Sequence, residues 1–239
     1  MGGVKNVYVG LFLLKFGNFS QDFRDLCISM RTLFILSVFL CGMLHAQKDS
    51  VIYNSDFKFS DGIYLTFESF RQNKPVPKSA IISNFDKSEI DFLRKVVSTK
   101  SIAYKDSSGM AWEIAPGKLW GFCENNSVYI RFSGDFNKIV VMGNICHFTA
   151  LYTTYFSGGP TTPSGTTTGA PVESVQQYVL DMQTGKVFDF VLPNMEELYK
   201  RDEALYKEFM ALKKGKRRKM MFFYLRKYNE KHPLYFYPD

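Results

Sequence analysis

Apolar and polar positions follow three different patterns along this chain, and each predicts a different kind of element. Between Ser101 and Leu192 the period is two. The runs SIAYKD, GMAWEI, KLWGFCE, VYIRFSG, KIVVMGNICHFTALYTTY, ESVQQYVLDM and KVFDFVL succeed one another across SSG, APG, ENN, GDFN and QTG. Short alternating runs joined by Gly- and Asn-containing turns predict six to eight antiparallel strands in a meander, as an open curved sheet or a partly closed barrel.

Helical spacing flanks this region. In DGIYLTFESFRQNKPVP, Asp61-Gly62 makes a turn, Ile63 to Leu65 favour a strand, and Thr66 caps a short helix that Asn73 and Pro75 end. A second helix is expected from Asp86 to about Val97, with Ile90, Phe92, Leu93, Val96 and Val97 on its apolar face and Asp86 with Glu89 as a capping pattern. Beyond Pro193, NMEELYKRDEALYKEFMALKK places Asn194 as N-cap and Leu198, Leu205, Phe209 and Leu212 on one stripe. Gly215 permits a break, and RRKMMFFYLRKYNEKHP gives a further helix stopped by Pro233. The expected fold is α+β: short N-terminal helices, an antiparallel meander and two C-terminal helices.

The third pattern is an apolar run, Leu33 to Leu40, broken only by Ser37, within MRTLFILSVFLCGMLHAQ. A single charge at Arg31, a short greasy centre and a small-residue exit at Ala46 spell a secretory signal peptide over 30–46. Thr32 to Ala46 is fifteen residues, whereas a bilayer span takes about 20 apolar ones. Cleavage after Ala46 leaves Gln47 as the new N-terminus, and bulky Leu40 before Cys41 argues against lipid attachment there. Residues 1–29 read as an extension from a start codon placed too early, with a bipartite leader or a surface anchor as rivals. The mature chain, 47–239, is then one exported domain, periplasmic or extracellular, with a sheet body to about 192 and a basic helical tail over 193–239.

Composition refines this picture in two places. With 46% hydrophobic and 16% aromatic residues the chain has a core to fold around. SGGPTTPSGTTTGAP, 157–171, has almost nothing to bury and reads as a surface loop in the sheet, either a tolerated insertion, which its lack of charge, aromatic and His favours, or a functional flap. The formal charge of +7 is concentrated: 193–239 holds twelve Lys and Arg against seven Asp and Glu, while 47–192 holds fourteen of each. Its densest part is Lys213, Lys214, Lys216, Arg217, Arg218 and Lys219, which suit either contact with an anionic surface or a solvated hinge around Gly215. So local a charge does not describe a nucleic-acid-binding domain.

Candidate chemistry is sparse. Beyond the leader the histidines are His147 and His232, and Cys146 beside His147 points to the opposite face of a strand. Asp56, Asp61, Glu68, Glu113, Glu124 and Asp135 are scattered through turns and strand ends. Nucleophile-elbow, zincin, phosphate-loop and CxxC patterns are missing from the sequence, so no catalytic residue, metal or cofactor is assigned. Cys123 and Cys146 are either a disulfide, which an exported chain favours, or two buried thiols. Trp112, Trp120, Tyr129, Tyr152 and Tyr155 either line a sugar- or lipid-binding face of the sheet or pack in its core.

DGIYLTFESFRQNKP, LWGFCENNSVYI and VMGNICHF resemble segments of uncharacterised exported proteins of the Bacteroidota that share a signal peptide ending in Ala-Gln and a GIYxTFExF segment. The resemblance implies an envelope or secreted location and assigns no catalytic residue. Two functions follow. One is a noncatalytic exported or envelope protein binding a partner, a surface glycan or an anionic surface. The other is an extracytoplasmic hydrolase acting on glycan or cell-wall material. N-terminal sequencing of the protein recovered from its producing cells is expected to begin at Gln47; a mature chain beginning near Gly2 would refute export through this leader.

Overall fold

Successive side chains of a strand point to opposite faces, and most of the alternating runs in this sequence build a main sheet that packs against different layers on its two sides. The computed structural model describes residues 50–155 and 171–238. The leader over 30–46, the extension over 1–29 and the loop over 157–171, except Pro171, lie outside the described residues.

Eight strands form the main antiparallel sheet, in the order Val187–Asp189 (β12), Pro171–Asp181 (β11), Ile145–Tyr155 (β10), Asp135–Val141 (β9), Ser127–Phe132 (β8), Gly121–Glu124 (β7), Gly62–Tyr64 (β2) and Val76–Pro77 (β3). From β7 to β12 the sheet is the expected meander, and it is open, with β12 and β3 as edges. The runs SIAYKD and GMAWEI do not join it. They give Ile102–Lys105 (β5) and Ala111–Ile114 (β6), which pair with Ile81–Ile82 (β4) in a separate three-stranded sheet. Pro116 opens a one-turn 3-10 helix between β6 and β7 and lacks the N–H that would continue the ladder. Val51–Ile52 (β1) pairs with Tyr235–Phe236 (β13) near the chain's end.

Turn chemistry sets the register. Asn125 and Asn126, between β7 and β8, have φ of 51° and 58°, and Ser133 and Gly134, between β8 and β9, have 52° and 87°. Two-residue turns with both φ positive match the right-handed twist of the strands they join. Gly62 has φ +152°, and a Cβ there would lie 2.2 Å from the Val76 carbonyl oxygen, so only glycine lets β2 and β3 approach.

Tyr64, Cys123, Cys146, Phe148 and Leu180 face one way, into a core shared with Phe59, Phe70 and Phe236. Their neighbours face the other way and split between two layers: Ile63 and Phe122 meet the helix Phe92–Val97 (α2), while Ile145 and Val179 meet the C-terminal helices. Cys146 and His147 therefore lie on opposite faces.

The helices differ from the sequence reading in instructive ways. Thr66 caps Phe67–Arg71 (α1) as expected: the Ser69 amide donates to Thr66 Oγ1 and the Thr66 amide to Ser69 Oγ, each at 3.1 Å. The helix expected from Asp86 is reduced to α2, and Ile90, expected on its apolar face, is 76% exposed. Glu124 of β7 supplies the missing cap, its Oε1 accepting the Leu93 amide at 2.7 Å. Three helices, not two, follow the sheet: Leu192–Tyr199 (α3), Glu203–Met210 (α4) and Lys214–Lys231 (α5). Asn194 lies inside α3, where Nδ2 donates to the Asp189 carbonyl, and Gly215 lies inside α5 instead of breaking it.

The break falls at Arg201-Asp202. Arg201 donates bidentately to Asp181 at the end of β11, 2.8 Å to each oxygen, while Asp202 caps α4 through the Leu205 amide and pairs with Lys231 and His232. Asp181 is 0% exposed. Burial pushes its carboxyl up, but Arg201, the Thr184 hydroxyl and the Gln183 amide pull it further down, to a net value below the ordinary 3.8. Removing one partner of a buried pair strands the other and costs about 3–5 kcal/mol. Because Arg201 keeps some solvent contact, Arg201→Ala is expected to lower unfolding stability by about 3 kcal/mol at pH 7, measured in urea. A depressed carboxylate gives its stabilisation above the unfolded value and loses it as pH falls through the folded one, so the deficit should shrink below about pH 4.

Candidate functional site

Tyr104 and Trp112 are partners across β5 and β6, so the two rings share one face of the small sheet. Asp106 follows the last residue of β5, and its carboxylate organises the turn that leads into β6. Oδ1 accepts the Ser108 amide at 2.9 Å, the Ser108 hydroxyl at 2.6 Å and the Met110 amide at 3.1 Å. Oδ2 accepts the indole N–H of Trp112 at 2.7 Å. The Ser108 hydroxyl foremost, then the Trp112 indole, holds the Asp106 carboxyl below its ordinary range. The result is a tryptophan 51% exposed whose indole is nonetheless fixed in orientation.

Trp112 and Tyr104 form one wall of a groove of about 630 Å³. Leu65, Ser69 and the Lys74–Pro77 segment at the free edge of the main sheet form the other, and Lys105 and Ser107 line the turn. That volume is in the range of small-molecule sites, ~300–1,000 Å³. An aromatic platform with hydroxyls, ammonium groups and a carboxylate around it can stack on a flat apolar face and hydrogen-bond the edges of the same ligand.

The other aromatics of the sequence reading are not gathered on one face. Trp120 stacks on Phe70 at 4.2 Å against the main core, and Tyr129 stacks on Phe122 at 4.6 Å. Tyr152 is exposed on β10, and the Tyr155 side chain lies outside the described ones. Tyr104 and Asp106 were missed by the sequence reading. Their signal was local: an Asp opening a Ser-Ser-Gly turn, with Trp six positions on.

Of the two alternatives for Cys123 and Cys146, the structure has the buried thiols and no disulfide. Cys123 and Cys146 are free and buried, on β7 and β10, three strand positions apart. At about 4.8 Å per position the gap exceeds the roughly 7 Å limit of Cα separation for a bridge. Burial first, then Asp61, pushes the Cys123 thiol up to about 12, and burial pushes Cys146 up to about 12. Both stay protonated and unreactive at neutral pH.

His147 is wedged between the rings of Phe190 and Phe222, each centroid at 5.1 Å, with Nε2 3.0 Å from Gln177 Oε1. Glu124 is spent on α2, and Asp61 on Lys78 at 3.0 Å. Among the described residues no group of three His, Cys, Asp or Glu side chains is placed to hold a metal ion, and no helix is long and apolar enough to cross a membrane.

Of the basic segment, Arg217 turns inward to Glu196 of α3 at 2.7 Å. Lys213, Lys214, Lys216, Arg218 and Lys219 are exposed around the first turns of α5, with no carboxylate within 4.0 Å among the described residues. Positive charge at a helix N-terminus opposes the macrodipole, so these residues are not there to stabilise α5.

A family model described as a family of unknown function (DUF6563) matches residues 62–232. No curated protein and no solved structure matches the chain.

Burial lowers the His147 pKa from 6.5, with Gln177 opposing. Its imidazole resonances are therefore expected to titrate below pH 6.5 by NMR. A group held neutral by folding weakens the fold as pH drops through its unfolded value, so His147→Gln should flatten the loss of stability between about pH 6.5 and 5.

Proposed function

We propose, from the premise that the chain belongs to the family of unknown function (DUF6563), that this is a noncatalytic exported or envelope protein that binds a surface glycan in the Trp112 groove. The observation that carries the reading is the indole itself. Trp112, a large and mainly apolar residue, is left half exposed to water, which forgoes roughly 25 cal/mol for each Å² of apolar surface kept exposed. A rotatable Trp would fold down onto its neighbours; this one is held out by Asp106. Fixing the ring in advance removes an ordering cost from the binding step.

A pyranose matches this surface. Its C–H face covers the indole, and its equatorial hydroxyls reach Ser69, Lys105 and Ser107 at the rim. Export rests on the apolar run before Ala46. The exposed cations at the start of α5 support a second contact, with anionic head groups or acidic polymers in the same compartment. A hydrolase has less support. His147 faces Gln177, and the carboxylate beside His232 is already shared with Lys231 and the α4 cap.

Trp112 and Trp120 are the two tryptophans, one exposed and one packed. Titration with chitooligosaccharide, xylan fragments and soluble muropeptides is expected to quench or blue-shift the exposed component. Trp112→Ala should weaken binding by roughly 30-fold, the ~2 kcal/mol of an aromatic hot spot, with the fold unchanged by circular dichroism. Release of reducing ends from any of these probes would favour the hydrolase instead.

A further inference from the structure

A second recess lies on the other side of α1. It encloses about 630 Å³ between α1, the turn after β11 and the segment that follows α5, and its polar lining includes Glu68, Arg71, Gln183, His232, Tyr235 and Tyr237. We infer that it binds a small polar molecule carrying a single carboxylate, with Arg71 as the anchor.

Among the described residues Arg71 is the one guanidinium in this wall, and it is held still. Nη1 donates to the Met182 carbonyl at 3.1 Å, the guanidinium carbon lies 5.2 Å from the Tyr237 ring centroid and 6.0 Å from that of Phe236, and the Tyr237 amide donates to the Arg71 carbonyl at 3.0 Å. Among the described residues no carboxylate comes within 4.0 Å of it, whereas Arg201 and Arg217 each have one. A guanidinium has five N–H donors in a fixed fork. One is used on Met182, and the fork remains open to a carboxylate, the planar acceptor it fits best.

The surrounding charges narrow the ligand. Glu68, three residues earlier on α1, does not pair with Arg71; it accepts the Gln72 side-chain amide at 3.3 Å on the exposed lip. Lys231 is neutralised by Asp202 at 2.6 Å, and His232 shares that carboxylate at 2.9 Å. One uncompensated cation beside one lip carboxylate favours a single negative charge and disfavours a phosphate dianion. The two tyrosine hydroxyls and Gln183 offer neutral hydrogen bonds to the rest of a hydroxylated molecule.

Isothermal titration of the purified protein with acetate, lactate and D-gluconate, none of them a pyranose, and with D-sorbitol and inorganic phosphate as controls, tests the assignment. At least one carboxylate is expected to bind at least tenfold more tightly than sorbitol and phosphate. Arg71→Gln should weaken it at least tenfold, Arg71→Lys less so, and Trp112→Ala should leave it unchanged. Phosphate binding more tightly than every carboxylate, sorbitol binding equally well, or failure of all three carboxylates would overturn the inference. So would full affinity in Arg71→Gln, or loss of affinity in Trp112→Ala, which would move the ligand to the other groove. If Arg71→Gln fails to fold, the Arg71→Lys affinity and the carboxylate-to-sorbitol ratio in the unaltered protein still decide.

Discussion

The corner between α3 and α4 turns on Arg201 and Asp202, and the C-terminal helices are organised around it. Arg201 reaches back to the fully buried Asp181 at the end of β11, and Asp202 reaches forward to Lys231 and His232 at the end of α5. A buried carboxylate without its partner is costly, so the sheet end and the corner are tied. With α5 tied in turn, the chain after it runs to β13, pairs with β1 and supplies Phe236 to the main core.

Asn229 adds a second clamp. Its side chain accepts the Ile145 amide at 2.9 Å and donates to the Ile145 carbonyl at 2.8 Å, pairing α5 with the first residue of β10. It fits because residue 143 is Gly: a Cβ there would fall 2.3 Å from the Asn229 side-chain nitrogen. The helical layer is thus held to the sheet by oriented polar contacts as well as by the apolar cluster of Ile145, Val179, Met195, Leu225 and their neighbours.

Both recesses depend on α1. This five-residue helix, stabilised at its start by the reciprocal Thr66 and Ser69 bonds, turns Ser69 toward the Trp112 groove and Phe67, Glu68 and Arg71 toward the second cavity. Phe70 between them is buried against Trp120 and Phe236, which keeps the partition in place. Aromatic packing sets the wall, and polar residues on its two sides give the recesses different chemistry: a fixed indole on one, an open guanidinium on the other.

Period-two alternation, Asn- and Gly-containing turns and the Thr66 cap are local properties, so the meander from β7 to β12, its turns and α1 were legible in the sequence. The helix boundaries were not, because an apolar stripe continues through Arg201-Asp202 and only partners distant in sequence, Asp181 and His232, interrupt it. The same holds for Glu124, which caps α2 from another strand, and for Cys123 and Cys146, whose separation is a matter of strand order. Trp112, Asp106 and Arg71 were visible as residues, but their roles depend on which side chains stay uncovered or unpaired. Residue type and spacing determined the elements and the exclusion of familiar catalytic motifs. Tertiary structure alone decided the recesses, because exposure and charge compensation depend on contacts between segments far apart along the chain.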